Sequence, residues 1–367
     1  MNTLERGEGV LLAGLRRTGK SWAMKEALAR LHKKNPGGLY LYLDIQDLSH
    51  PSALFLKILD ALPKNATDHF YSLLAKTHQI PSRLVEWLRL RVSKGNAAGT
   101  GVEFQKGVTD YWKPLSNAIE KVLPQTEARA VLGLDEVPFF LENLIAKGYT
   151  PEFISEILAT LRRWRESGVG MVIGGSISLE HQLDSLGIPR TVLGGLFPVD
   201  IRPLSTAESL TFLTEGAKSS GLTWWSEETG HQVIREVGDG VPYFLRFALD
   251  HLSTAASAEE VEECLHNQVL PGLHRAFLYQ FDERLSRRYS SGERYAAECV
   301  LDLLCRKQEG ATIVECQSVL EEPDVDIYGL LTNLQRDDFI RFNPEQHYLF
   351  SLRLLRRWWC GRRGVQG

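Results

Sequence analysis

The sequence has few cysteines, and their arrangement argues against the usual cysteine-based sites. Five cysteines occur in 367 residues, and no two of them have C-x-x-C spacing. An odd number without this spacing favours neither a zinc site nor a disulfide framework. We therefore expect buried or inert thiols in a reducing cytoplasm. The five are Cys264, Cys299, Cys305, Cys316 and Cys360.

Long apolar segments and a strong net charge are also absent. No run approaches the roughly 18 uninterrupted apolar residues of a membrane-spanning helix, and residues 1–6 lack the charged and then apolar pattern of a secretory signal. These absences predict a cytoplasmic protein with no membrane partner. The 42 basic and 46 acidic residues leave a net charge of -4, which argues against a surface coated with basic patches for nucleic acid.

A glycine loop follows the first apolar run of the chain. Residues 10–21 read VLLAGLRRTGKS, which fits the phosphate-binding pattern G-x-x-x-x-G-K-[ST]. In this pattern the glycines let backbone N–H groups point at phosphate oxygens, the lysine reaches the β- and γ-phosphates, and the serine binds Mg²⁺. A following helix adds the positive end of its dipole. The predicted nucleotide ligands are Gly14, Leu15, Arg16, Arg17, Thr18, Gly19, Lys20, Ser21 and Trp22.

A second apolar run ends in two carboxylates. Residues 130–136 read AVLGLDE, a buried strand that leaves the sheet at an acidic pair. We expect Asp135 to bind Mg²⁺ through its hydration shell and Glu136 to polarise the attacking water. Such a pair in isolation is common at a solvent-exposed turn, but its position after a phosphate loop favours the catalytic interpretation.

A third apolar run, residues 170–175, ends at Ser176. The order of motifs assigns this hydroxyl as a catalytic sensor of the γ-phosphate, and a serine in a plain Gly-Ser turn is the alternative. With strands predicted at residues 38–44 and 197–202, five strands alternate with helices. This alternation predicts an α/β fold of three layers around a mostly parallel five-stranded sheet.

The remaining segments are mainly helical. Residues 51–128 have helical periodicity, with Leu84, Trp87, Leu88 and Arg91 as an example and a short strand near 102–104, and we interpret them as an insertion in a core of residues 1–204. Residues 205–288 form a predicted helical lid, unless the breaker at 238–242 is a plain helix–helix turn. Residues 289–367 show three helices and two short strands, which suggests a winged helix with a tail rich in arginine and tryptophan.

Charge is unevenly spread over this last segment. Its third helix has Arg336 among four carboxylates, those of Asp324, Asp326, Asp337 and Asp338, which would repel DNA phosphates. The tail has five arginines and could contact nucleic acid or a partner. We favour the alternative of an amphipathic terminal helix. Its apolar face would contain Leu354, Leu355, Trp358 and Trp359.

Taken in order, these motifs resemble those of prokaryotic AAA-type ATPases of the archaeal-ATPase and STAND group, which are P-loop NTPases of the ASCE division. The segments that carry the resemblance are residues 14–21, 134–136, 175–176 and 240–243, and the aromatic and basic residues of 348–359. The resemblance implies an α/β core, a helical lid and a winged helix that responds to ATP. It also implies that Pro242 contacts the base or ribose, and the nearest match to an arginine finger is Arg190.

Three functions remain open. The first is a Mg²⁺-dependent ATPase that switches a protein partner or its own self-association between ATP and ADP states, with slow turnover when no partner is present. The second is a DNA-binding, initiator-like ATPase that uses the winged helix and the basic tail. The third is a structural nucleotide binder without turnover, against which Glu136 argues.

Overall fold

The computed structural model describes most of the chain, and the chain divides into two compact units. The described residues are 4, 8–77, 81, 83, 85, 86, 88, 89, 111–123, 130–175, 179–254, 257–320 and 325–365. The first unit contains Met1–Gly14 and Lys20–Ile201, and the second contains Leu15–Gly19 and Arg202–Gly367. The predictions for Leu84, Trp87, Arg91, residues 102–104, Ser176 and Asp324 lie outside the described residues.

A five-stranded parallel sheet forms the centre of the first unit. Its strands are β1 (Gly9–Ala13), β2 (Leu39–Asp44), β3 (Ala130–Asp135), β4 (Gly170–Gly174) and β5 (Leu196–Asp200). The spatial order is β2-β3-β4-β1-β5, and every neighbouring pair is parallel. The predicted α/β fold with a parallel five-stranded sheet is therefore confirmed.

Position in the sheet explains the composition of the strands. All residues of β3 and β4 are buried, as expected for central strands that are covered on both faces and are therefore apolar throughout. Strand β5 contains Pro198 and is largely exposed. Since proline cannot donate a ladder hydrogen bond, it is tolerated at a sheet edge, and β5 is the edge strand next to β1.

Seven helices and a short 3₁₀ turn surround this sheet within the described part of the unit. They are α1 (Lys20–Lys34), α2 (Pro51–Ala61), α3 (Lys64–Thr77), α4 (Trp112–Val122), α5 (Val137–Ala146), α6 (Pro151–Glu166), α7 (Leu179–Ser185) and the turn Arg190–Val192. Helix α6 begins where the Thr150 hydroxyl accepts the Phe153 N–H and proline occupies the first position. The Phe55 ring packs between Trp112 and Trp164, at centroid distances of 6.0 and 5.8 Å.

The second unit is helical except for one hairpin. Its elements are α8 (Thr206–Ser219), α9 (Glu227–Val237), α10 (Pro242–Leu252), α11 (residues 261–288), α12 (Ser291–Arg306), α13 (Ile313–Ser318), α14 (Ile327–Arg336), β6 (Ile340–Phe342), β7 (Tyr348–Phe350) and α15 (Arg353–Arg363). Strands β6 and β7 are antiparallel. The predicted order of helices and short strands is confirmed. Within the described residues, no helix is long and apolar enough to cross a bilayer.

Helix α11 changes its winding along its length. The α-helical segments Val261–Cys264, Leu270–Leu273 and Tyr279–Arg288 alternate with π-helical segments at Leu265–Val269 and His274–Leu278. Pro271 lies between the two π-helical segments and has no N–H to donate. Wider turns of this kind change which side chains face the core.

Reciprocal capping fixes the start of three helices in this unit. The cap before α8 is Ser205, whose hydroxyl accepts the Glu208 N–H while the Glu208 carboxylate accepts the Ser205 N–H. The same arrangement occurs at the start of α12 and α13. Each box satisfies N–H groups that a helix start leaves without partners.

The terminal helix α15 packs into the core of its unit. Leu354, Leu355 and Trp359 are buried, and Trp358 is partly buried against the same cluster. The favoured amphipathic interpretation of the tail is therefore confirmed. Its arginines also have protein partners: Arg357 contacts Glu236, and Arg362 contacts Asp282 at 2.7 Å.

One expectation about the cysteines is wrong. Cys305 of α12 and Cys360 of α15 form a disulfide across a sequence separation of 55 residues. Odd cysteine number and wide spacing do not reveal this bond, because it depends on the packing of two distant helices. The other three, Cys264, Cys299 and Cys316, form no disulfide, and burial raises the pKa of Cys316 to about 11.

Candidate functional site

The glycine loop begins with a backbone geometry that only glycine adopts readily. Gly14 has φ +123°, and a Cβ atom there would lie 2.4 Å from the carbonyl oxygen of Ile201. Gly19, just before α1, has φ +96°. Because both positions lie in the region of backbone space that disfavours side chains, the two glycines of the motif are required by the conformation of the loop itself.

Lys20 is the first residue of α1 and is only 7% exposed. Its Nζ donates to the carbonyl oxygen of Gly14 at 2.7 Å, so the ammonium group lies back over the start of the loop. A buried ammonium needs oxygen acceptors around it, and phosphate oxygens are stronger acceptors than a carbonyl. Ser21 follows and is partly buried, whereas Trp22 is 68% exposed.

The two acidic residues at the end of β3 differ in their surroundings and backbone conformation. Asp135 is buried, and its carboxylate accepts the Tyr42 hydroxyl at 2.7 Å and the Glu136 N–H at 3.1 Å. Glu136 has φ 61° and precedes the first turn of α5. A left-handed glutamate costs about 1–2 kcal/mol, and such outliers concentrate at functional sites. The chain therefore turns sharply at the residue predicted to polarise water.

Tyr42 contacts one of the two predicted metal ligands, Asp135, which the sequence did not indicate. Its hydroxyl donates to the Asp135 carboxylate at 2.7 Å. Burial raises the pKa of Tyr42, and the hydrogen bond to Asp135 raises it further, so the hydroxyl stays protonated and acts as a donor. The signal in the sequence was the LYLYLD alternation of β2, but only the pairing of Tyr42 with Gly133 in β3 reveals the neighbour.

These residues fit a magnesium ion that is bound together with a nucleotide. Asp135 supplies a buried carboxylate whose two oxygens accept from Tyr42 and from the Glu136 N–H, and Ser21 follows Lys20 at the start of α1. Among the described residues, no group of three or more His, Cys, Asp and Glu side chains is placed to hold a metal. Mg²⁺ commonly takes one or two protein ligands and completes its shell with water and substrate phosphates, which is the set that this edge of the sheet offers.

Comparison with known proteins identifies the fold. No protein-family model and no curated protein matches the chain. The Walker-type ATPase of Pyrococcus abyssi matches over 98% of this chain and 92% of its own, with a TM-score of 0.61 and 16% identity. The Orc2 protein of Aeropyrum pernix, solved with ADPNP and ADP, matches over 99% and 91%, with a TM-score of 0.54 and 14% identity. This chain has the P-loop NTPase fold. The resemblance that its motifs indicate is confirmed as a likeness of fold.

In this P-loop NTPase fold, the middle of the glycine loop, Leu15–Gly19, belongs to the second unit. The Thr18 hydroxyl donates to the Leu15 carbonyl at 2.9 Å and closes the turn. The Arg16 guanidinium donates to Gln280 of α11 at 2.7 Å, and the Arg16 N–H donates to Asp338 at 3.4 Å. The loop arginine therefore contacts two elements that are distant in sequence.

The second loop arginine contacts the start of α10. The Arg17 guanidinium lies 4.5 Å from the centre of the Tyr243 ring, within the range of a cation–π interaction. Pro242, the residue implied to contact the base or ribose, is the first residue of this helix. The fold thus brings the segment 15–19 and the Gly-Val-Pro turn together within the second unit.

Two residues singled out in the sequence, Arg190 and Asp337, have side-chain partners that the sequence did not indicate. Arg190, the nearest match to an arginine finger, is bound by Asp184 and Glu180 in the first unit. Asp337, at the end of α14, is buried and accepts from Arg288 and from the Tyr289 hydroxyl. Asp337 is one of the four carboxylates expected from the sequence to repel DNA phosphates, and its carboxylate is used inside the unit.

Proposed function

We propose that the protein is a Mg²⁺-dependent ATPase whose nucleotide state switches its interaction with a protein partner or with further copies of itself. One observation carries the proposal: the buried Asp135 carboxylate at the end of β3 is held by the Tyr42 hydroxyl, in the same unit as Lys20, whose buried ammonium donates to the Gly14 carbonyl at the start of the loop. Bound Mg²⁺ would neutralise charge that develops on the phosphates. Ser21 and Asp135 are the residues that would hold it.

The remaining residues of the site have separate roles in this proposal. Lys20 and the N–H groups of residues 14–21 bind the phosphates. Glu136 accepts a proton from the attacking water as the water oxygen bonds to the γ-phosphorus. The bond between the γ-phosphorus and the β–γ bridging oxygen breaks, and ADP and inorganic phosphate are the products. Ser176 is proposed as the sensor hydroxyl at the γ-phosphate.

The switch is proposed to act through the lid, residues 205–288, and the winged helix, residues 289–367, which follow a core of residues 1–204. Arg16 contacts Gln280 and Asp338, and Arg17 contacts Tyr243. Since the phosphates of a nucleotide would attract both loop arginines and repel the Asp338 carboxylate, nucleotide binding changes the energy of these contacts. That change supplies the differential interaction that any switch requires.

The DNA-binding alternative has less support. The likeness to Orc2 concerns the fold, while the basic tail uses its arginines within its own unit: Arg363 binds Asp302 and Glu298, and Arg362 binds Asp282. Arginines that are already paired release fewer counterions from DNA. We therefore expect weak, sequence-independent DNA binding at most, which fluorescence anisotropy at two salt concentrations would measure.

Substitution of Lys20 tests the proposed nucleotide binding. We expect Lys20→Ala to lower the affinity for a fluorescent ATP analogue by roughly a hundredfold, because one charge and its hydrogen bonds to the phosphates are lost together. Lys33→Ala is the matched control, since Lys33 is an exposed lysine at the other end of α1. An affinity of Lys20→Ala within threefold of the wild type would contradict the assignment of the phosphate loop.

The switch requires a second measurement. Sedimentation velocity and small-angle scattering of the full chain would compare the nucleotide-free, ADP and ATP-analogue states. We expect the ATP analogue to change the sedimentation coefficient or the radius of gyration, and Lys20→Ala to remove that change. Identical hydrodynamics in all three states, with nucleotide binding intact, would leave an ATPase but reject the switch.

A further inference from the structure

Tyr42 is placed by the sheet rather than by a loop. It lies in β2, which pairs with β3 from Leu39 to Asp44, so its backbone is held beside the strand that ends in Asp135. The Lys25 ammonium lies 4.4 Å from the centre of the Tyr42 ring. The ring is therefore fixed by backbone pairing and by a cation–π contact, and the hydroxyl is left to bind Asp135 at 2.7 Å.

The Asp135 carboxylate depends on this hydroxyl for its orientation. Asp135 is 2% exposed, so solvent contributes little to its hydrogen bonding. The Glu136 N–H binds Oδ1, and the Tyr42 hydroxyl binds Oδ2, so each oxygen has a donor on a different side. Groups that orient a metal ligand commonly change metal affinity by about 10–100-fold when they are removed.

We propose that Tyr42 is a positioning residue that sets the Mg²⁺ requirement of the site by fixing the orientation of the Asp135 carboxylate. This inference rests on the proposed function, since it needs a nucleotide and a metal at the phosphate loop. The role belongs to the hydroxyl alone. The ring and its contact with Lys25 serve the structure of the sheet face and are expected to tolerate loss of the oxygen.

Tyr42→Phe isolates the hydroxyl, and Tyr40→Phe is its matched control. Tyr40 lies two residues earlier on the same face of β2, where its ring contacts His32 rather than Asp135. Both variants lose one phenolic oxygen from one strand. Any general effect of that loss on β2 should therefore appear in both.

The experiment measures binding of a fluorescent, non-hydrolysable ATP analogue to the full chain, first in EDTA and then over a range of Mg²⁺ concentrations. We expect unchanged affinity in EDTA for both variants. For Tyr42→Phe we expect the half-saturating Mg²⁺ concentration to rise roughly tenfold, and for Tyr40→Phe to stay within twofold of the wild type. Urea unfolding in EDTA checks that Tyr42→Phe is folded.

Different outcomes of this experiment test the positioning role of Tyr42 and the proposed nucleotide binding. If the wild type binds the analogue with a clear Mg²⁺ dependence and Tyr42→Phe has the same half-saturating Mg²⁺ concentration, the positioning role is rejected while the nucleotide site stands. An equal rise in Tyr40→Phe would also reject it, because the effect would then come from the strand. If the wild type binds no nucleotide at all, the proposed function itself fails.

Discussion

The Asp239 carboxylate accepts the backbone N–H groups of Arg353 and Leu354, at 2.9 and 3.1 Å, across more than 110 residues of sequence. Asp239 lies in the turn between α9 and α10 and has φ 61°. The two N–H groups belong to the first turn of α15, where a helix has donors without internal partners. The turn at residues 238–242, which the sequence predicts between two helices, therefore also provides the side chain that caps the N-terminus of α15.

We expect Asp239→Ala to lower the free energy of unfolding by about 2–3 kcal/mol, because the cap is lost and alanine is strained in a left-handed conformation. Urea unfolding followed by circular dichroism would measure the change. Asp239→Asn is the control, since asparagine tolerates this backbone conformation and keeps one acceptor oxygen. If Asp239→Asn lowers the free energy of unfolding as much as Asp239→Ala does, the effect comes from the charge and not from capping or backbone strain.

Glu136→Gln should separate nucleotide binding from turnover. The amide preserves size and shape but cannot accept a proton from water, so we expect phosphate release to fall by about 10²–10⁴-fold while ATP affinity stays within a few-fold. Steady-state phosphate release and a binding titration measure the two quantities. Glu166→Gln, at the exposed end of α6, is the control. Unchanged turnover in Glu136→Gln would place the base elsewhere.

Reduction of the Cys305–Cys360 disulfide should destabilise the second unit. The bond closes a loop with a sequence separation of 55 residues, for which the chain-entropy model gives about 4 kcal/mol as an upper value. We expect dithiothreitol to lower the midpoint of thermal unfolding of the wild type but not of Cys360→Ser. Thiol titration of the unreduced, unfolded chain should detect only Cys264, Cys299 and Cys316. Five reactive thiols without a reductant would contradict the bond.

Glu315 should give the second unit a stability that depends on acid pH. The Lys307 ammonium and the capping box with Thr312 lower the pKa of Glu315 to about 2, from a usual value of 4.5. Because the folded-state pKa is the lower one, this contribution is fully present above about pH 4.5 and is lost as the pH falls towards 2. We therefore expect Glu315→Gln to lower stability at pH 7 and to match the wild type near pH 2.

Unfolding midpoints measured between pH 2 and pH 7 would check this dependence. Glu309→Gln is the control, since Glu309 is an exposed carboxylate in the turn that precedes α13. The pH dependence of the Glu315→Gln difference is measured relative to that of Glu309→Gln. A difference between Glu315→Gln and the wild type that grows as the pH falls would have the wrong sign for this account.

The sequence alone predicts the class of fold and the residues of the candidate site. Central strands of a parallel sheet must be apolar along their whole length, so the runs that become β3 and β4 are visible without coordinates. The loop glycines, Lys20 and Asp135 are set by short-range geometry between a strand and the residues that follow it. Such patterns depend on neighbours in sequence, and they can be read from it.

Contacts between residues that are distant in sequence are visible only in the tertiary structure. Strand order places β2 beside β3, and that order, not any local pattern, brings the Tyr42 hydroxyl to Asp135. The packing of α15 places Cys360 next to Cys305, where the disulfide forms, and lets the Arg353 N–H donate to the Asp239 carboxylate. These contacts depend on long-range packing, in which many side chains together select one arrangement. The spacing of residues along the chain does not indicate which arrangement forms. The sequence alone therefore does not predict these contacts.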